Sequence, residues 1–175
     1  MRPHHPQAVS PHIDDPMALL RACHEKVNRF TALAQRLLAH TQTNGVDDQA
    51  REAAQSVLRY FTVAAPLHHA DEEEDLFVAL RSLDRPDLHA RIDSLQAEHE
   101  TLAARWTPVR AWLQDLAEGR AHPGPEPDVA GFAEHYRAHA RAEETDVYPH
   151  AAALSPDTLA GMAARMVARR LPKAA

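Results

Sequence analysis

The feature that most restricts this chain is a run that occurs twice. His68-His69-Ala70-Asp71-Glu72-Glu73-Glu74-Asp75-Leu76-Phe77 and His139-Ala140-Arg141-Ala142-Glu143-Glu144-Thr145-Asp146-Val147-Tyr148 share one pattern. Each reads as a histidine, three residues, Glu-Glu, two residues, an aliphatic and an aromatic. Both lie in stretches with helical apolar spacing, where residues four apart share a face at about 6 Å. A His and a Glu so placed make half of a metal site, since imidazole with carboxylate suits Fe, Mn or Zn. The Glu can ligate the same ion as its His or reach across to a second. Bundles that hold two metals use inward-facing motifs of this kind.

Helix punctuation lays out the rest. Asp14-Asp15-Pro16 supplies an N-cap and an N1 proline for a first helix running to about His40, and Thr43-Asn44-Gly45 ends it. Asp47-Asp48 opens a second helix to about Leu83, and Arg85-Pro86-Asp87 opens a third that ends near Glu118-Gly119. No helix crosses His122-Pro123-Gly124-Pro125-Glu126-Pro127. A fourth runs from about Asp128 to Tyr148, and Ser155-Pro156-Asp157 caps a short fifth ending in Arg169-Arg170. With only 5 Gly and few β-branched or aromatic residues, the chain reads as all-α. Short links imply antiparallel neighbours, hence an up-and-down four-helix bundle over 15–150. The short C-terminal helix, within 151–175, packs on it, and a Pro-rich head at 1–14 is expected to be disordered.

The apolar stripes show which histidines point inward. His24 lies among Met17, Leu20, Val27, Ala34 and Leu38, and His99 among Ile92, Leu95, Leu102, Trp106 and Leu113. Phe132 heads a stripe continuing through His135, His139 and Glu143. On the second helix, His68 and Glu72 fall within roughly 20° of the stripe centre, and His69 and Glu73 roughly 80–120° away. The echo with the fourth helix selects the same register, so His68 and Glu72 are the stronger ligands. A carboxylate centred on an apolar stripe is costly unless a cation offsets its desolvation. The chain has 13 His, and His40, His89, His122 and His150 belong to no such pair.

Bulk properties exclude other classes. A net charge of −6 without a basic cluster argues against nucleic acid. No apolar run approaches the roughly 20 residues of a membrane span, and Met1-Arg2-Pro3-His4-His5-Pro6 lacks a secretory core. The single cysteine, Cys23, fits a reducing compartment, so the expected location is cytoplasmic.

At these residues the chain resembles the hemerythrin-like proteins with the HHE cation-binding domain, over roughly residues 15 to 150. The resemblance rests on the His of helix 1, the two His-x3-Glu-Glu runs and Glu98-His99-Glu100 of helix 3. It implies a four-helix bundle with a carboxylate-bridged centre of two non-haem Fe ions. His24, His68, His99 and His139 would be terminal ligands, with Glu72 and Glu143 bridging. Zn or Mn are possible substitutes. Oxygen-carrying hemerythrins have two His four apart on the third helix, whereas Leu95 and Ala103 flank His99 here. His135 or His69 could supply a seventh ligand, with Glu73 an alternate. The resemblance implies a protein that senses or binds O2, NO or peroxide, or buffers iron. The alternative is a di-iron enzyme, peroxidase-like or acting in iron–sulfur cluster repair.

Overall fold

The structure is a computed structural model and describes residues 15–171. The expected head at 1–14, with His4, His5 and His12, lies outside the described residues, as do 172–175. Helices account for nearly all of what is described: α1 Pro16–Asn44, α2 over residues 48–80, α3 Pro86–Ala117, α4 Val129–Asp146 and α5 Pro156–Arg170. A 3-10 segment, Tyr148–Ala153, links α4 to α5.

The boundaries follow the local chemistry. The Asp15 carboxylate accepts from the amides of Met17 and Ala18 at 2.8 and 3.2 Å. Asp47, Asp128 and Ser155 cap α2, α4 and α5 in the same way, accepting from Ala50, Gly131 and Thr158. α1 outruns the expected His40 and stops at Gly45, whose φ of 74° closes the helix with an amide bond to the Thr41 carbonyl.

α2 is not regular. It contains two π turns, Tyr60–Ala64 and Glu72–Leu76. The first ends two residues before Pro66, which offers no amide proton and whose ring would collide with the carbonyl four residues back. Widening the ladder there absorbs both defects. The second carries Glu72 itself, and such turns recur at functional sites.

α1 packs against α2 and α4, and α3 packs against the same two, so the long helices close a helical bundle. α5 lies on α1 and on the half of α2 that holds the second π turn. The core falls into two apolar clusters. One holds Val27, Phe61, Trp112, Phe132 and Tyr136; the other holds Leu20, Phe77, Ile92, Tyr148, Met162 and Met166. Each fully buried large side chain of this kind stabilises the fold by about 1.5–3 kcal/mol.

Candidate metal centre

Between the two clusters, four helices each bring one imidazole inward. His24 comes from α1, His68 from α2, His99 from α3 and His139 from α4, all buried. Glu72 and Glu143, one turn beyond His68 and His139, are both 0% exposed.

The six side chains form two groups that share a carboxylate. His24 Nε2 stands 3.1 Å from Glu143 Oε2 and 3.9 Å from Glu72 Oε1, and His68 Nε2 is 3.5 Å from Glu72 Oε1. Opposite them, His139 Nε2 is 3.0 Å from Glu143 Oε1, and His99 Nε2 is 3.6 Å from both Glu143 Oε1 and Glu72 Oε2. The donor atoms of His24, His68, Glu72 and Glu143 lie within 4.8 Å of one another, as do those of His99, His139 and Glu143. Each group can hold one ion. Glu143 reaches both, and Glu72 turns its second oxygen towards His99.

The donor set fits cations better than it fits itself. Among the described residues, His99 Nε2, His139 Nε2, Glu72 Oε2 and both oxygens of Glu143 are buried without a hydrogen-bond partner, despite their proximity. Each such orphan costs roughly 1–3 kcal/mol. Cations at the centre of the set would engage all of them together. Burial, with the charge of His24 adding to it, drives His68 well below the ordinary imidazole range, towards the neutral form that metals bind.

Outer carboxylates orient three of the rings. Glu144 accepts from His24 Nδ1 at 2.7 Å, Glu73 from His99 Nδ1 at 2.5 Å, and Glu98 from His139 Nδ1 at 3.0 Å. A proton held on Nδ1 leaves the Nε2 lone pair facing the cluster. The sequence echo thus extends one residue further. Glu72 and Glu143 point inward, while their neighbours Glu73 and Glu144 each hold a histidine on another helix. Glu98 and Glu144 were not among the sequence candidates, because their role depends on the register between helices, which periodicity within one helix does not reveal.

The alternate ligands are placed differently. Glu73 serves His99 from outside the cluster. His69 stacks on His99, ring centroids 4.0 Å apart, and its Nε2 is buried without a partner among the described residues, but it joins neither group. Burial pushes His69 down to about 3, and the His99 charge adds to this. His135 is exposed and bonds the Gly131 carbonyl of its own helix at 2.9 Å, which corrects its reading as an inward-facing residue. The buried stripe of α4 runs through Val129, Phe132, Ala133, Tyr136, His139, Ala140 and Glu143, and position 135 sits about 100° from its centre. His40, His89 and His122 bond Asp47, the Leu83 carbonyl and Asp115, away from the centre.

Tyr148, the aromatic residue that closes the second repeated run, also faces the centre. Its hydroxyl donates to Glu72 Oε1 at 2.5 Å and lies 3.3 Å from His24 Nε2. A surface depression between α1 and α4, lined by Asn28, Arg137, Arg141 and Glu144, reaches His24.

Comparison with known proteins agrees with this geometry. The Hemerythrin HHE cation binding domain matches residues 15–151. An uncharacterized protein of Haemophilus influenzae is 32% identical over 160 residues, which cover 91% of this chain and 92% of that protein. The chain belongs to the hemerythrin HHE cation-binding domain family.

Proposed function

We propose that the chain is a non-haem di-iron binding protein that senses or binds a small ligand such as O2, NO or peroxide, or buffers iron. The observation that carries this reading is the pair of buried His/Glu groups sharing Glu143, with their orphaned donor atoms. In this reading the helices form an up-and-down four-helix bundle. His24 and His68 would hold one ion and His99 and His139 the other, with Glu72 and Glu143 as the carboxylates that would bridge them. Two irons so held supply one-electron redox chemistry and a position where a small ligand binds. The chain's own contribution is threefold. Glu73, Glu98 and Glu144 keep three imidazoles aimed, the two apolar clusters keep bulk water out, and the depression at His24 offers a route in. Leu95 and Ala103 offer no ligand on either side of His99, so the second ion keeps the more open position.

Metal analysis of aerobically purified protein, with its optical spectrum, tests the reading. Two irons per chain and the near-ultraviolet charge-transfer bands of bridged ferric ions are expected. Less than one iron per chain without those bands sinks it. The depression at His24 also supports a second reading, a di-iron enzyme of peroxidase-like or cluster-repair type. That reading requires catalytic turnover of peroxide or NO that Glu72→Ala abolishes; a merely stoichiometric reaction counts against it.

A further inference from the structure

The two halves of the centre repeat each other closely, which makes their differences informative. His68 and Glu72 on α2 answer to His139 and Glu143 on α4, and His24 on α1 answers to His99 on α3. The aromatic residue closing each repeated run obeys the same rule. Phe77 stacks on His99 with ring centroids 6.4 Å apart and planes 16° from parallel. Tyr148 stacks on His24 at 5.5 Å and 9°. Phe77 shows that the ring alone suffices for this packing, and both residues are almost fully buried, at 1% exposure. What Tyr148 adds is one oxygen atom, and that atom faces the first metal position.

Its distances match those of a ligand. Donor atoms that meet at right angles on an ion about 2.1 Å away stand roughly 3 Å from one another. The Tyr148 oxygen is 3.3 Å from His24 Nε2 and 2.5 Å from Glu72 Oε1. These separations are as short as or shorter than those among several of the recognised donors, such as the 3.5 Å between His68 Nε2 and Glu72 Oε1. The backbone holds the oxygen there firmly. α4 ends at Asp146, Tyr148 opens the 3-10 segment, and Pro149 follows it.

A second difference falls at the same position. His139 has Glu98 on its Nδ1, whereas His68 Nδ1 is buried with no partner among the described residues. The residue before His24, which answers to Glu98 before His99, is Cys23. The first position therefore lacks one outer carboxylate that the second has, and gains an oxygen that the second lacks.

We infer that the Tyr148 oxygen is a ligand of the ion held by His24 and His68, so that the two ions are chemically distinct. This rests on the di-iron reading above. On iron(III) binding the Tyr148 O–H bond breaks, its proton goes to solvent, and an oxygen–iron bond forms in its place with no change of oxidation state.

The test loads the full chain with iron(III) and compares wild type with Tyr148→Phe and Tyr136→Phe. Wild type is expected to show a visible phenolate-to-iron charge-transfer band with tyrosinate ring modes in its resonance Raman spectrum. Tyr148→Phe should lose both while keeping two irons per chain, and should release one proton fewer on loading. Tyr136→Phe, whose ring stacks on His69 where that of Tyr148 stacks on His24, should keep both. Two bound irons with no tyrosinate modes in wild type, or modes that persist in Tyr148→Phe, overturn the inference and leave the di-iron reading standing. Failure of wild type to hold iron overturns both. Should Tyr148→Phe not fold, the Raman spectrum of the double variant Tyr60→Phe/Tyr136→Phe, whose one remaining tyrosine is Tyr148, decides the matter: modes that persist support the inference, and modes that vanish overturn it.

Discussion

Glu72 and Glu143 are the same side chain at the same place in a repeated run, yet their surroundings push them in opposite directions. Burial and the adjacent Glu143 carboxylate drive Glu72 well above the usual carboxylate range, against the hydrogen bond from Tyr148. Burial works against Glu143 too, but His139, His24 and His99 around it outweigh that and hold it well below. In the metal-free pair these surroundings favour a proton on Glu72, which metal uptake must expel. Binding releases protons, so metal affinity should rise with pH, and a weakly buffered titration with Zn2+ should acidify. An affinity that does not change with pH would contradict this assignment. The outer carboxylates make a second prediction. Glu73→Gln removes the charge behind His99 while keeping the shape, and should weaken metal binding about 10–100-fold in a chelator competition, with helicity unchanged. At this scale the inward pairs were legible in the sequence because each lies on one helix and obeys one period. Glu98, Glu144 and the Tyr148 oxygen were not, since each acts on a residue from another helix.

Among the elements, α5 has the clearest energetic role. Asp71 and Asp75 flank Glu72 on α2, and both are buried at 0–1% exposure. Arg169 and Arg170 each approach Asp71 at 2.5 Å, Arg169 also reaches Asp75 at 2.9 Å, and Arg165 contacts Asp75 as well. α5 thus grips the back of the π turn whose front carries Glu72. Replacing Arg169 and Arg170 together by Ala leaves Asp71 buried without a counter-charge, which should cost about 3–5 kcal/mol in denaturant unfolding. A loss below about 1 kcal/mol would show that water replaces the arginines freely. The short Ser-Pro-Asp cap and the basic end of α5 could be read in the sequence, but not their target. Acidic residues in a Glu-rich run look like a solvated face until a partner element covers them. The π turns escaped for a different reason: a count at 100° per residue assumes a regular ladder, which Pro66 interrupts at the first of them.

For the whole molecule, the two apolar clusters and the layer between them set the terms of stability. A metal that binds only the folded chain adds stability by mass action, about 4 kcal/mol when free metal exceeds its dissociation constant a thousandfold. Thermal unfolding should therefore rise with added metal and fall with chelator; a melting temperature indifferent to both would mean that the layer is satisfied without ions. The layer also divides the molecule. Leu20, Phe77, Ile92, Tyr148 and Met162 pack on one side, Val27, Phe61, Trp112 and Phe132 on the other, with polar donors in between. In the metal-free chain several donor atoms of that layer are without a hydrogen-bond partner among the described residues, so the layer couples the two halves less tightly than apolar packing couples each half within itself. Ions bound across the layer tie all four long helices at a single point. Loading should therefore change the cooperativity of unfolding as well as its midpoint. Native-state hydrogen exchange should resolve two protection classes in the metal-free chain, one for each cluster, and merge them into one on loading.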